Sequence, residues 1–214
     1  MTTPYPIPLS EDQERLLNEY AELLLNVNQR FNLISRSDID QVRQHHIGHC
    51  LAYATLSFPD GCSVVDWGSG GGLPAIPIAI LWPGIQVTAV DSNANKTRAV
   101  DLFCRRLGLS NCNSWHGRAQ DWMGSVDYSV SRATASLSEL WEWHMRVKKN
   151  ESTSGDQEWE TGLICMKGGD LSKEIAELEA DHPQLDTAIR PLSMLDGDPY
   201  FRSKVLVHVT QSNS

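Results

Sequence analysis

Residues 64–73 read Val64-Val65-Asp66-Trp67-Gly68-Ser69-Gly70-Gly71-Gly72-Leu73, an apolar run that ends in an acid and leads into a glycine-rich turn. The next residues, 74–80, are apolar again, so the segment predicts a β-strand, a tight loop and an α-helix. Glycines let the backbone N–H groups of such a loop approach a ligand, and the N-terminus of the helix lies beside them. The segment therefore indicates a ligand-binding loop, and an ordinary glycine-rich turn is the alternative.

The spacing of the glycines indicates which ligand is bound. A dinucleotide fingerprint needs glycine at the first, third and sixth positions of the loop. Here Gly68, Gly70 and Gly72 take the first, third and fifth positions, and Leu73 takes the sixth. This pattern after Asp66 favours S-adenosylmethionine, with its zwitterionic amino-acid end, over a pyrophosphate. An NAD-binding oxidoreductase is correspondingly disfavoured.

A second acid follows the loop at the distance expected for a ribose ligand. Residues 85–91 predict a strand that ends in Asp91, roughly 20 residues past the glycines. A carboxylate accepts hydrogen bonds from both ribose hydroxyls. Asp91 could equally cap a helix over Asn93–Gly108, and the two roles are compatible.

The composition predicts one domain and an intracellular setting. The chain has 214 residues, 41% of them hydrophobic, which is enough for a substantial core. Residues 1–10 do not resemble a signal peptide, and no apolar run reaches the ~20 residues that span a membrane. The five cysteines are odd in number and form no CxxC pair, so we expect reduced thiols in the cytoplasm and no structural zinc.

The charge pattern leaves the partner open. A net charge of −9 weighs against nucleic-acid binding, which needs lysine and arginine at the phosphates. Basic residues nevertheless gather in residues 98–106, 118–132 and 146–149, whereas acids crowd the first predicted helix. A basic face on an acidic body is compatible with RNA, and ordinary solvated helix faces are the alternative.

The order of predicted elements indicates an α/β fold. Leu9–Phe31, with Ser10 as its N-cap, and Ser37–Leu56 predict two helices, so we expect residues 1–60 to form a helical extension packed on residues 61–214. From residue 63 onward, strands and helices alternate, which predicts a doubly wound, mainly parallel, seven-stranded sheet. The predicted strands are Ser63–Asp66, Gln86–Asp91, Asn113–His116, Val126–Val130, Leu163–Lys167 and two at the end, the last within Tyr200–Thr210. Residues 150–160 predict a mobile surface loop.

Such sheets bind ligands past the carboxyl ends of their strands, where the strand order reverses. The glycine loop, Asp91, residues 117–120 and Ser131-Arg132 all follow predicted strands. We therefore expect these segments to converge on one site.

Five motifs in register resemble one family. The first, Val65 to Pro77, resembles the V-D-x-G-[ST]-G-x-G-x-P-G-I-P signature of the small-subunit ribosomal RNA methyltransferase G family, also called glucose-inhibited division protein B. The other four are Phe31-Asn32-Leu33-Ile34-Ser35, Asp91-Ser92, Ser131-Arg132-Ala133 and Met166-Lys167-Gly168. The resemblance extends from Asn28 to Val209.

The resemblance implies a class I methyltransferase that moves a methyl group from S-adenosylmethionine to N7 of a guanine, in a 16S ribosomal RNA loop near the decoding site. It implies 16S rRNA or the small ribosomal subunit as the partner, and we expect a cytoplasmic monomer. By position, Asp66 would lie near the methionine amine, Asp91 near the ribose and Ala119-Gln120 near the adenine. The residues expected to bind the cofactor are Asp66, Gly68, Ser69, Gly70, Gly72, Leu73, Asp91, Ser92, Ala119, Gln120 and Arg132.

The expected chemistry needs few catalytic groups. N7 of guanine has a lone pair and no proton, so alignment of the reacting atoms replaces a general base. Arg132, Lys167 and His46 are the candidates on the acceptor side. A buried ion pair is the alternative role for Arg132, and a solvated lysine at a strand end is the alternative for Lys167.

One segment departs from the family pattern. Where the family has R-H-[IL]-x-D-S, this chain has His45-His46-Ile47-Gly48-His49-Cys50, which keeps only the histidine and the apolar residue after it. His45 and His49 have the spacing of a helical metal pair, but no acid or cysteine set accompanies them, and we expect no metal. The open alternatives are a class I methyltransferase with another acceptor and a non-catalytic module that binds S-adenosylmethionine.

Overall fold

The computed structural model describes residues 5–132, 134–150, 160–192 and 199–212. Its α-helices are α1 (Glu11–Asn28), α2 (Gly48–Cys50), α3 (Ala75–Leu81), α4 (Ala94–Leu107), α5 (Leu137–Val147) and α6 (Ser172–Asp181). Its strands are β1 (Ser63–Trp67), β2 (Gln86–Asp91), β3 (Cys112–His116), β4 (Tyr128–Arg132), β5 (Gly162–Gly168), β6 (Leu185–Pro191) and β7 (Lys204–Gln211). Short 3-10 helices cover Arg36–Gln41, Leu51–Thr55, Ala119–Asp121 and Pro199–Ser203, and a π-helix covers Val42–Ile47.

The strands form one seven-stranded sheet in the order β3-β2-β1-β4-β5-β7-β6. Strands β1 to β5 pair in parallel, whereas β7 runs antiparallel to both β5 and β6. The predicted doubly wound, mainly parallel sheet is therefore confirmed. The strand order reverses between β1 and β4, so their carboxyl ends flank the crevice where such sheets bind ligands.

Helices cover both faces of the sheet. Successive side chains of a strand point to opposite faces, and β1 shows this with Val64 in one apolar cluster and Val65 in the other. The Val64 cluster includes buried residues of α1, α3 and α4, and the Val65 cluster includes those of α5 and α6. The apolar face of α1 thus shares a core with the sheet.

The two predicted N-terminal helices differ in how regular they are. Helix α1 has the predicted N-cap. The Ser10 hydroxyl accepts from the backbone amide of Gln13, and the Gln13 side-chain oxygen accepts from the backbone amide of Ser10. The predicted single helix over Ser37–Leu56 is wrong, since this stretch is a chain of short 3-10, π and α segments.

Gly48 lies at the end of the π-helix. Its amide donates to the carbonyl of Arg43, five residues back, which is the wide turn of a π-helix. A Cβ on Gly48 would lie 3.2 Å from that carbonyl oxygen and 3.6 Å from Cδ of Pro6. The widened turn therefore forms where the segment before α1 packs closely.

Strand boundaries elsewhere shift by a few residues. The predicted strand Val126–Val130 begins at Tyr128 and continues to Arg132, and Val126 makes an isolated bridge to Lys148. Of the predicted surface loop 150–160, residues 151–159 lie outside the described part of the chain. No helix among the described residues combines the length and apolar character needed to cross a bilayer.

Candidate active site

The glycine loop after β1 has the backbone that its sequence predicts. Gly68, Gly70 and Gly72 have φ angles of 69°, 58° and 91°, which favour glycine. The amides of Gly68 and Ser69 both donate to the carbonyl of Val90, at 2.9 and 3.0 Å. These two bonds hold the loop against the end of β2.

Close approach explains Gly68 in particular. A Cβ at this position would lie 2.3 Å from Cγ2 of Thr134, whose hydroxyl donates to the carbonyl of Trp67 at 3.0 Å. The loop is therefore held between the end of β2 and the residues that follow β4.

Asp91 joins the loop to the second strand. Its Oδ2 accepts from the amide of Gly70 at 2.9 Å, its Oδ1 accepts from the amide of Asn93 at 2.8 Å, and Nζ of Lys96 lies 3.9 Å away. The alternative role of helix cap is wrong for Asp91, because the side chain of Asn93 caps α4 by accepting from the Asn95 amide. A carboxylate has about four lone-pair sites, so Asp91 keeps acceptor capacity for a ligand.

A cavity of about 470 Å³ opens beside the loop. It is lined by Leu33, Gly68, Ser69, Gly70, Gly71, Leu73, Val90, Asp91, Ser92, Lys96, Gly117, Arg118, Ala119, Gln120, Arg132, Thr134 and Trp143. The structure thus brings together nine of the predicted cofactor residues: Gly68, Ser69, Gly70, Leu73, Asp91, Ser92, Ala119, Gln120 and Arg132. The predicted convergence of the strand-end segments is observed.

Two predicted residues, Asp66 and Gly72, do not line this cavity. Asp66 is fully buried below the loop, where its Oδ2 accepts from the Ala75 amide at the start of α3, at 3.0 Å. Burial raises the pKa of this carboxyl to about 7. At Gly72 an added Cβ would meet Cδ1 of Ile76 at 2.6 Å, so this glycine permits packing of the loop on α3.

At the glycine loop, two buried oxygen atoms lack hydrogen-bond partners among the described residues. They are Oγ of Ser69, on the cavity wall, and Oδ1 of Asp66, below it. Buried polar atoms are usually satisfied, so orphaned ones here indicate a polar ligand. Together with the acceptor capacity of Asp91 and a volume within the ~300–1,000 Å³ common for ligand pockets, they fit S-adenosylmethionine.

Arg132 stands at the boundary between this cavity and a second one. Its Nη1 donates to Nδ1 of His46 at 3.0 Å. Arg132 makes no ion pair within the described chain, so the alternative of a structural ion pair is not what the structure shows. Arg132 and Thr134 line both cavities, and the second measures about 570 Å³. Ala133, part of the third quoted motif, lies outside the described residues.

Lys167 lines the second cavity and is firmly held. Its Nζ donates to Oε1 of Glu174 at 2.6 Å and to the carbonyl of Ala135 at 2.7 Å, and its side chain is 9% exposed. Glu174 also accepts from the amide of Leu137 at 2.7 Å. Lys167 is therefore not the solvated strand-end lysine of the alternative interpretation. Glu174 was not predicted as a site residue, because its acid-rich sequence surroundings give no local signal.

The histidine cluster packs against the last 3-10 helix. The ring of His45 stacks on Tyr200 with centroids 3.9 Å apart, and His49 meets the same ring edge-on at 5.9 Å. His49 lines the second cavity with neither ring nitrogen bonded among the described residues, and burial lowers its pKa to about 3. His49 is therefore neutral. Within the described ranges, no three His, Cys, Asp or Glu side chains are placed to hold a metal ion.

Solved structures share this architecture. A SAM-dependent methyltransferase from Aquifex aeolicus superposes with a TM-score of 0.59 at 14% identity, covering 84% of this chain and all (100%) of that one. A geranyl diphosphate methyltransferase in complex with GPP and sinefungin also gives 0.59, at 12% identity, over 94% of this chain and 99% of that one. The fold is that of the class I S-adenosylmethionine-dependent methyltransferases.

Sequence comparisons identify the family within this class. The family model described as rRNA small subunit methyltransferase G matches residues 13–189. A curated relative named ribosomal RNA small subunit methyltransferase G, from Salinibacter ruber, is 47% identical over 202 residues, 94% of each chain. One of the same name from Bacteroides fragilis is 34% identical over 203 residues, covering 94% of this chain and 95% of the relative. The chain belongs to the rRNA small subunit methyltransferase G family, which confirms the predicted enzyme class and S-adenosylmethionine as the cofactor.

Proposed function

We propose that this enzyme transfers the methyl group of S-adenosylmethionine to N7 of a guanine in a 16S rRNA loop near the decoding site. The observation that carries the proposal is the junction of the two cavities at Arg132 and Thr134. The first cavity has the glycine loop and the acid that suit the cofactor, and the second can take an acceptor. The curated relatives are named for the small-subunit rRNA, which supports the same substrate class.

The cofactor residues have distinct tasks in this proposal. When bound, S-adenosylmethionine would supply an electrophilic methyl group. Asp91 accepts from the ribose hydroxyls, and the Ala119-Gln120 pair reads the adenine edge. Oγ of Ser69 gains a partner in the ligand, and Asp66 acts from below on the cationic amino end. Gly68, Gly70 and Leu73 shape the wall that the ligand contacts.

On the acceptor side, the residues orient the base and do not take a proton from it. The N7 lone pair attacks directly, so a guanidinium that fixes the base at the junction is more useful than a general base. Arg132 has five N–H donors, and the bond to His46 uses one of them. His46 thus acts as a positioning residue. Two of the three N–H donors of Lys167 are engaged by Glu174 and Ala135, which leaves one for the base or a phosphate.

The histidine that lines the second cavity, His49, carries no charge. His49 is neutral there, so each ring nitrogen can serve as a donor or an acceptor according to its tautomer. A neutral imidazole adds no further positive charge beside the N7-methylated guanine, which is itself cationic.

The decisive experiment is transfer of tritiated methyl from S-adenosylmethionine to 16S rRNA and to 30S particles that lack the modification, followed by nucleoside analysis. We expect 7-methylguanosine at one site. Tight cofactor binding with no transfer to either RNA would overturn the proposed acceptor and favour another substrate or a binding role. Comparison of naked RNA with particles identifies the substrate form. We further propose that the enzyme acts as a monomer in the cytoplasm, which sedimentation and fractionation would test.

A further inference from the structure

A further concave surface lies outside the two cavities, between the end of α1 and the exposed side of α4. It measures about 460 Å³. Its polar and aromatic lining comes from Asn26, Arg30 and Phe31 on one side and Asn95, Arg98 and Arg106 on the other. We refer to it as the arginine groove. No residue that we assign to cofactor binding or catalysis lines it.

The groove is cationic although the protein is acidic. The three guanidinium groups, Arg30, Arg98 and Arg106, make no salt bridge within the described residues, and no carboxylate lines the groove. The last acid of α1 is Glu22, which does not line the groove, and the part of α1 that forms the wall, from Leu23 onward, carries no acid. Outside the groove, Arg15 of α1 pairs with Asp12 and Glu19, and Lys96 of α4 lies 3.9 Å from Asp91, whereas Arg105 of α4 is exposed and also makes no salt bridge among the described residues. Unpaired arginines gathered in one concavity favour an anionic partner.

An aromatic ring completes the groove. Phe31 is 40% exposed, although it follows a helix whose apolar face is otherwise buried. Bases of unpaired RNA stack on aromatic rings while arginines hold the phosphates beside them. An acidic protein surface would form ion pairs with the arginines, but its carboxylates would not stack on the exposed ring of Phe31.

The groove lies next to the cofactor cavity at two places along the chain. Phe31 lines the groove, and Leu33, two residues later, lines the cavity. On α4, Asn95 lines the groove and the next residue, Lys96, lines the cavity. An RNA strand whose target base enters at the cavities can therefore continue along the protein surface into the groove.

We infer that the arginine groove binds an unpaired segment of the substrate rRNA adjacent to the methylated loop, with its phosphates on Arg30, Arg98 and Arg106 and a base on Phe31. This inference rests on the proposed RNA substrate, and it adds the surface that selects and holds that RNA. It also explains how an enzyme with a net charge of −9 binds a polyanion: the positive charge is local.

The test compares two charge-matched double variants. Arg98→Gln with Arg106→Gln removes two groove charges, whereas Arg105→Gln with Lys173→Gln removes two exposed charges outside the groove. Binding of a fluorescent 16S rRNA fragment containing the loop is measured by anisotropy across a range of salt concentrations. Each phosphate contact to a single strand contributes ~0.7 to the steepness of the plot of log affinity against log salt. We therefore expect the groove variant to make this plot less steep by about 1.4, and the control to keep the wild-type steepness. Phe31→Ala is expected to weaken binding about tenfold with the slope unchanged.

Cofactor affinity and thermal unfolding are measured for every variant, and we expect both to match the wild type. Equal RNA affinity and slope in the groove and control variants would overturn the inference, as would a wild type that does not bind the fragment. Normal binding to naked RNA with weakened binding to 30S particles would assign the groove to a ribosomal protein, which also contradicts it. RNA binding that depends on the groove, in a wild type that transfers no methyl group to RNA, would support the groove and overturn the proposed reaction alone.

Discussion

Arg132 at the end of β4 and His46 in the π-helix are joined by a hydrogen bond of 3.0 Å between Nη1 and Nδ1. The two residues are 86 positions apart in the sequence. A guanidinium can only donate, so Nδ1 of His46 accepts this bond and carries no proton. It ties the irregular N-terminal segment to the residue that borders both cavities.

Replacing Arg132 with lysine tests the planar, multi-donor contact. Lysine keeps the charge but lacks the planar fork of donors of a guanidinium. Its ammonium group therefore cannot contact both the base and His46 in the geometry that Arg132 provides. We expect kcat to fall about 100-fold, because misplacement of reacting groups is costly. Steady-state kinetics and calorimetric cofactor titration measure the two effects separately. Unchanged turnover would remove Arg132 from the site.

His46 is expected to act through Arg132, and a pair of variants tests this. His46→Ala deletes the acceptor, and we expect kcat to fall about tenfold while cofactor affinity stays the same. His46→Gln offers a carbonyl oxygen in its place and should recover part of the loss. A purely structural role would instead lower the unfolding temperature of both variants without rescue of kcat by glutamine.

Variants of Asp91 and Asn93 distinguish cofactor binding from helix capping. Asp91→Ala removes the acceptor of the Gly70 amide and the proposed ribose ligand, so we expect cofactor affinity to fall at least tenfold. Asn93→Ala removes the cap of α4 and should lower stability by about 1 kcal/mol with little change in affinity. Calorimetry and denaturant unfolding give both quantities. A loss of stability alone in Asp91→Ala would make the ribose assignment wrong.

The elements that could be predicted are those with local signals. Apolar periodicity locates the strands, and the rule that ligands bind at carboxyl strand ends brings the glycine loop, Asp91 and Arg132 together. The N-cap role of Ser10 follows from its residue type and its place directly before an apolar-periodic segment. The cofactor cavity follows from these features because it is built almost entirely from strand-end residues.

The acceptor side depends on contacts that leave no local signal. The Lys167–Glu174 pair forms only because α6 packs beside the end of β5, and no spacing rule predicts it. The π-helix over Val42–Ile47 ends at the closely packed Gly48, whereas propensity indicates an ordinary helix. Both Asp91 and Asn93 could cap α4 from their sequence positions, and the structure shows that Asn93 is the cap while Asp91 binds the amide of Gly70.

Asp66 provides a prediction about pH. Burial raises the pKa of its carboxyl from 3.8 to about 7, so in the free enzyme Asp66 is largely protonated below that pH. A cationic ammonium nearby favours the ionised form, so cofactor binding below pH 7 should release a proton from Asp66. Affinity should then rise by up to tenfold per pH unit toward pH 7 and level off above it.

Calorimetric titrations from pH 5.5 to 8, in buffers of different ionisation enthalpy, measure the affinity and the released proton together. Asp66→Asn cannot ionise and should abolish the slope. Methylthioadenosine provides a matched ligand control, because it lacks the amino-acid end and should bind the wild type without the pH dependence. The same raised pKa sets the sign for stability: the contribution of Asp66 is greatest below pH 3.8 and is lost as the pH rises to about 7. Equal slopes for both ligands would show that Asp66 does not act on the ammonium end.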